Sequence, residues 1–328
     1  MSQKTILEVQ DLQVGLMTEG EPLPVLDHVN LELHEGEIVG VVGESGCGKS
    51  MLASSIMSLL SSPAKILGGK ILYAGEDITT FSMKQMQTIR GKEISMIFQE
   101  PMTSLNPLMK VGKQIEEAIR AHEKLPAKQV KERAIQAIKD VGIPQAEKVY
   151  DDVPSRLSGG MRQRIMIAMA LVCHPQVLIC DEPTTALDVT IQAQILRLIK
   201  KLRDETNTAV IFISHDMGVI YQMVDRVVVM YAGQVVEAGK YDELFSSPLH
   251  PYTIGLQNAI PQIHKNQESL HDIPGSVPML DDLPQGCLFS PRCPFANGNC
   301  YVQRPTLKQY GDHQVRCWMV DEGGLHHE

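Results

Sequence analysis

The sequence predicts an α/β protein built on a mostly parallel sheet with helices on its faces. Three observations predict it. Gly43-Glu44-Ser45-Gly46-Cys47-Gly48-Lys49-Ser50 fits the phosphate-loop pattern G-x-x-x-x-G-K-[ST], between an apolar strand-like run over 37–42 and a helix-like run over 51–60. A second apolar run, Val177-Leu178-Ile179-Cys180, ends in the paired carboxylates Asp181 and Glu182. Around it strand and helix alternate, with a strand over 177–181, a helix over 189–203 and a strand over 209–214.

Taken in order, residues 5–42 read as short strands, with turn chemistry at Thr18-Glu19-Gly20-Glu21-Pro22 and His34-Glu35-Gly36. Lys70-Ile71-Leu72-Tyr73 and Ile94-Ser95-Met96-Ile97-Phe98 are further strands, with Gly68-Gly69 read as a turn. From about 111 to 141 the period becomes helical: Ile115, Ala118 and Ile119 share a face, as do Val130, Ala134, Ile135 and Ile138. A loop is expected over 142–156 and a new helix from near Gly160. Beyond about residue 246 the sequence turns Pro-rich and irregular, which places a domain boundary between 1–245 and 246–328.

A chain of 328 residues has room for a large core and more than one domain. Its net charge of −9 gives no basic footprint for nucleic acid. The longest apolar run, Ile165 to Cys173, is half of the roughly 18–20 residues a membrane span needs. No signal peptide opens the sequence. The expectation is a soluble, cytoplasmic protein whose membrane work is done by partners.

Glycines let backbone N–H groups converge on phosphate oxygens at a helix N-terminus, where the dipole favours negative charge. Residues 43–51, ending at Met51, are therefore the expected cradle for ATP. Lys49 is placed to reach the β- and γ-phosphates, and the Ser50 hydroxyl to bind Mg²⁺. Asp181 also suits Mg²⁺, and Glu182 suits the positioning or activation of an attacking water. Cys47 lies near Lys49 and a helix N-terminus, both of which lower a thiol pKa. It is expected to react with alkylating reagents, with ATP protecting. Ser158-Gly159-Gly160 is a second possible anion-binding N-terminus that, taken alone, reads as a plain N-cap.

Leu157-Ser158-Gly159-Gly160-Met161-Arg162-Gln163 resembles the signature motif of ATP-binding-cassette ATPases. Other motifs of that family occur with it: Gln99 in Ile97-Phe98-Gln99-Glu100-Pro101 matches the Q-loop, Ala186-Leu187-Asp188 the D-loop, and His215 in Ile213-Ser214-His215-Asp216 the switch histidine. The resemblance covers about residues 5–245. It implies a phosphate-loop core sheet, an antiparallel β subdomain and a helical subdomain at about 100–165. It also implies head-to-tail dimers, with ATP sandwiched between one subunit's phosphate loop and the other's signature motif. Ser158, Gly159, Gly160, Gln163 and Asp188 would then meet the partner's nucleotide. Glu182 would orient water, His215 would contact the γ-phosphate, and Gln99 would touch Mg²⁺. The family usually stacks an aromatic residue on adenine; Leu12-Gln13-Val14-Gly15-Leu16 has none, leaving Leu16 to pack against the base.

Finer strings, Gln99 to Pro107, Leu187 to Ile195, His250-Pro251-Tyr252-Thr253 and Pro274-Gly275-Ser276-Val277-Pro278, resemble the ATPase subunits of bacterial oligopeptide and dipeptide importers. The implied assembly has a second, non-identical ATPase, two permease subunits and an extracytoplasmic binding protein, with this chain peripheral on the cytoplasmic face of the membrane. A related importer for nickel, a metallophore or another small solute is the alternative. Soluble cassette proteins of DNA repair or translation usually carry two cassettes or a long coiled coil, and this chain has neither. Cys287, Cys293, Cys300 and Cys317 are spaced C-x5-C-x6-C-x16-C, which is not a zinc-finger spacing. Four thiolates can hold [4Fe–4S], and the importer family is similar here. Zn²⁺, or unligated or disulfide-bonded thiols, are the alternatives for this small irregular Cys-rich C-terminal domain.

Overall fold

A computed structural model describes residues 4–99, 104–185, 187–259 and 273–321. Its strands are β1 (Thr5–Leu16), β2 (Leu23–His34), β3 (Ile38–Val42), β4 (Ala64–Tyr73), β5 (Glu76–Asp77), β6 (Ile94–Ile97), β7 (Val177–Asp181), β8 (Ala209–Ser214), β9 (Arg226–Tyr231), β10 (Gln234–Lys240), β11 (Lys308–Tyr310) and β12 (His313–Val315). The described residues divide between two compact units, the first within 1–6, 33–37 and 80–211, the second within 7–32, 38–79 and 212–328.

In the second unit, one sheet has the order β2-β1-β4-β5. β1 runs antiparallel to β4, from Leu7 opposite Tyr73 to Leu16 opposite Ala64. The expected turn at Gly68-Gly69 is instead a bend inside β4. Gly69 (φ +82°) passes against the Asp11 backbone, where the β1 register shifts between Gln10 and Gln13. Only a residue without Cβ allows that approach. The same unit pairs β3 in parallel with β9, and β9 antiparallel with β10. Every residue of β3 is buried, as a strand covered on both faces requires. β12 pairs antiparallel with β10, Glu237 opposite Val315, and forms a hairpin with β11. The Pro-rich tail is thus joined to β10 by a hydrogen-bonded strand. It also contains a proper helix, Pro251–Asn258, with proline in its first turn and the His250 imidazole as cap.

In the first unit, β6 and β7 are parallel, from Ile94 opposite Val177 to Ile97 opposite Cys180. The helical stretch expected over 111–141 is two helices, Val111–His122 and Ala127–Asp140, with Pro126 at the N-cap of the second. Proline disfavours helix in the residue before it, so the break falls there. The loop expected over 142–156 holds a short helix, Ala146–Tyr150, and a 3₁₀ turn, Pro154–Arg156. Both are too short to show a period. Tyr150 folds back to donate a buried hydrogen bond to Glu116. Gly159–Leu171 and Val189–Thr206 complete the unit's long helices. Among the described residues no helix is long and apolar enough to cross a membrane.

Candidate functional site

The second unit carries the phosphate loop. β3 ends at Val42, and the helix Lys49–Ile56 begins directly after the loop. Its N-cap, Gly48, has φ +103° and no side-chain cap. A Cβ there would meet Leu26 Cδ2 at 2.7 Å, so glycine is needed both for the backbone angle and for packing. The loop is held from behind by the Gly233 N–H, which donates to the Cys47 carbonyl at 3.0 Å. Lys49 is buried, and its ammonium donates to the carbonyls of Gly43 (2.7 Å) and Glu44 (2.9 Å). Ser45 and Gly46 are exposed at the tip, and Ser50 is exposed at the start of the helix.

The burial of Cys47 argues against its expected reactivity. Its side chain is fully buried. Burial raises the thiol pKa, and the nearby Lys49 ammonium only partly offsets it. Proximity in sequence showed the cation but not the loss of water.

The first unit carries the carboxylates. Asp181 is the buried last residue of β7. Glu182 follows with φ +46°, a left-handed conformation that costs a non-glycine residue on the order of 1–3 kcal/mol and is concentrated at functional sites. Its Oε2 accepts from Gln99 Nε2 at 3.0 Å and from Thr185 Oγ1 at 2.9 Å. The Thr185 N–H closes the turn on the Glu182 carbonyl at 3.2 Å. Gln99 and Glu182, far apart in sequence, are thus brought together. Thr185 is a positioning residue that sequence reading missed; its hydroxyl three residues after the acid was the available signal.

The signature helix Gly159–Leu171 lies in the same unit. Ser158 is its N-cap, with Oγ accepting from the Met161 N–H at 3.3 Å. A Cβ on Gly159 would meet nothing within 4 Å, whereas one on Gly160 would meet Ile191 Cγ2 at 2.9 Å. Asp188 caps the helix Val189–Thr206 through the Ile191 N–H at 2.9 Å, so these two helix starts pack together. Gln163 points inward, 1% exposed. Ala186 and residues 100–103 lie outside the described residues.

His215 is exposed in the second unit, between the end of β8 and the helix Met217–Met223 that Asp216 caps. Leu16, expected near adenine, is the half-buried last residue of β1. Two tail residues that sequence reading did not assign to the nucleotide site, Tyr252 and Arg292, both bond Glu44 of the phosphate loop.

None of the four tail cysteines is in a disulfide. Burial first, and then neighbouring thiols, push Cys287, Cys293 and Cys317 each up to about 11. Cys300 acts on all three, Cys293 on Cys287, Cys317 on Cys293, and Cys287 on Cys317. Among the described residues no group of three or more His, Cys, Asp or Glu is arranged to hold a metal ion. A tetrahedral Zn²⁺ would bring thiolates to about 3.8 Å from one another, and no such group is present among them.

The "ABC transporter" family model matches residues 26–185, and "Oligopeptide/dipeptide transporter, C-terminal region" matches residues 236–300. The chain is 49% identical to the oligopeptide transport ATP-binding protein AppD of Bacillus subtilis, over 98% of both chains. It is 43% identical to the dipeptide transport ATP-binding protein DppD of Escherichia coli, over 97% of this chain and 98% of that one. A solved structure of the ATP-binding cassette MJ0796, dimeric, post-hydrolysis and bound to ADP and phosphate, is similar at TM-score 0.64 and 27% identity, covering 72% of this chain and 98% of that one. The phosphate loop, the strand-end carboxylates and the serine-capped signature helix therefore sit in a chain that belongs to the ATP-binding-cassette family, in its oligopeptide and dipeptide transporter branch.

Proposed function

We propose that this chain is the ATP-hydrolysing subunit of a peptide importer, acting with a second, non-identical ATPase on the cytoplasmic face of the membrane. Two permease subunits and an extracytoplasmic binding protein complete the proposed assembly. The observation that carries the chemistry is Glu182: a strained backbone at the end of a buried strand, with two side chains fixing one carboxylate oxygen. The likeness to transport ATP-binding proteins supports the peptide cargo.

In this reading, residues 43–51 hold the phosphates through backbone amides, and Lys49 leaves its two loop carbonyls for phosphate oxygens. The Ser50 hydroxyl, Asp181 carboxylate and Gln99 amide oxygen are hard oxygen donors of the kind Mg²⁺ takes, and they would hold it. Mg²⁺ held by them would supply positive charge to offset that of the phosphates. Glu182 orients the attacking water and takes its proton at Oε1 or Oε2. Thr185 keeps that carboxylate turned, and His215 donates to the γ-phosphate. Ser158, Gly159 and Gly160 present a helix N-terminus to the nucleotide held by the partner subunit. Gln163 and Asp188 are proposed to act at the same partner-held nucleotide; Gln163 is buried and Asp188 caps the neighbouring helix through the Ile191 N–H.

Replacing the acid tests the proposal. In the purified transporter, Glu182→Gln is expected to lower ATP hydrolysis by about 10²–10⁴-fold, the range of a general base, while nucleotide still binds. Undiminished turnover would overturn it.

For residues 246–328 we propose an extension whose four thiols carry a [4Fe–4S] cluster. Four cysteines within one short tail segment support the reading, and a cluster, unlike a single ion, spaces its ligands widely. Anaerobically isolated protein should contain about four iron atoms per chain. An iron-free, colourless preparation after reconstitution with iron and sulfide would exclude it.

A further inference from the structure

Glu44 occupies the second position of the phosphate loop, so a carboxylate belongs to the very loop proposed to hold a triphosphate. Unpaired, an anion there would repel another, the more so where water is scarce. The structure gives this carboxylate an elaborate partner from the far end of the chain, 248 residues away. Arg292 Nη1 donates to Glu44 Oε2 at 2.8 Å and Nη2 donates to Oε1 at 3.0 Å, a two-pronged pair. The guanidinium is itself fixed. Nε donates to the Pro274 carbonyl at 2.8 Å, Nη2 to the Ile273 carbonyl at 3.3 Å, and Nη1 to the Tyr231 hydroxyl at 3.4 Å. All five of its N–H groups are thereby engaged. Its side chain is 6% exposed and lies near the Tyr231 and Phe289 rings. A second tether reaches the same loop residue, for the Glu44 N–H donates to the Tyr252 hydroxyl at 2.8 Å. Tyr252 is fully buried and packs on Tyr231 and Phe289.

We infer that Arg292 is a positioning residue of the nucleotide site: it neutralises and orients Glu44, so that the phosphate loop accepts the triphosphate only when the C-terminal segment is docked. The inference rests on the proposed role of residues 43–51. Its distinguishing feature is that the role of Arg292 passes through one carboxylate. Removing the arginine exposes that charge; removing the charge as well makes the arginine dispensable for binding.

The test uses the full chain and a fluorescent ATP analogue. Arg292→Ala is expected to weaken binding about tenfold or more, as truncation of one partner of a buried charge pair does. In a Glu44→Gln background the same substitution should weaken it by less than about twofold, because no unpaired carboxylate remains to repel the ligand. In the assembled transporter the loss should appear as a raised KM for ATP with kcat kept. An equal loss in both backgrounds would reduce Arg292 to packing and overturn the inference, as would no loss in either. Should Arg292→Ala fail to fold, Arg292→Lys in the two backgrounds gives the same comparison. It keeps the charge but not the fork, so a smaller loss is expected that disappears with Glu44→Gln, and an equal loss or none again overturns. Lys49→Ala separates the two levels. If it binds the analogue as the unaltered chain does, the phosphate-loop reading itself has failed; if it does not, while Arg292→Ala binds normally, only this inference has.

Discussion

The helix that begins at Lys49 and the helix that begins at Gly159 both open on glycines, and both leave amide groups in the first turn to be satisfied. Ser158 satisfies its own helix from within, through the Met161 N–H. Gly48 has no side chain to do so. Instead its loop is held by remote groups: the Gly233 amide, Tyr252 and Arg292. In the proposed function the self-capped, exposed start meets a phosphate held by another molecule, and the uncapped start with its buried lysine encloses a phosphate of its own. The same local composition is thus held in two different ways, and the second needs the rest of the unit.

The largest effect expected from breaking this contrast is at Lys49. Lys49→Ala should lower ATP hydrolysis by about 10²–10³-fold, as loss of a strong donor to developing charge does, measured as phosphate release by the transporter.

Acid should come next, and it should act on the remotely held start. His250 is buried, and burial lowers its pKa from the ordinary value of 6.5 to about 4. Its Nδ1 must stay unprotonated to accept from the Tyr252 N–H at 3.0 Å. Between 6.5 and about 4 the unfolded chain binds the extra proton, so stability present above pH 6.5 is lost as pH falls. The loss is on the order of 3 kcal/mol over that window. Glu237 receives the His250 and Leu249 amides and lies 3.3 Å from His313. His313 is raised by that carboxylate, so it acts in the opposite sense. Its contribution is present at low pH and lost as pH rises through the raised value. Urea unfolding of His250→Gln, which keeps an acceptor for the cap, should show a weaker acid loss than the unaltered chain between pH 7 and 5.

A smaller effect belongs to the self-capped start. Ser158→Ala should cost about 1 kcal/mol of local helix stability and lower hydrolysis in the assembled transporter about fivefold, read in the same phosphate-release assay. Smallest in functional terms is the sheltered thiol. Alkylation of Cys47 in the native chain should be at least about tenfold slower than in the unfolded chain, given burial and a raised pKa. Peptide mass mapping after brief labelling reads it, and equal rates would show the loop to be open.

Much of this was legible in the sequence because it depends on local pattern. The apolar runs became β3 and β7, both fully buried, and the alternation from 177 to 214 became strand, helix, strand. The phosphate-loop motif and the signature serine are local too, since each is a short string at a helix start. What stayed hidden depends on distant contact. Nothing around Arg292 marks it as a partner of Glu44, because pairing across 248 positions leaves no spacing signal. The Gly68-Gly69 dipeptide carries the same turn chemistry whether the chain reverses or only bulges, and the β1 register decides it. The backbone angle of Glu182 is likewise set by what surrounds it.

The Glu44–Arg292 fork carries one further consequence, for the order in which the protein matures. During synthesis the phosphate loop leaves the ribosome long before its guanidinium partner exists. Until Arg292 emerges, the nascent chain lacks the guanidinium that pairs with the Glu44 carboxylate. On the inference drawn above, the unfinished polypeptide holds ATP more weakly than the finished chain.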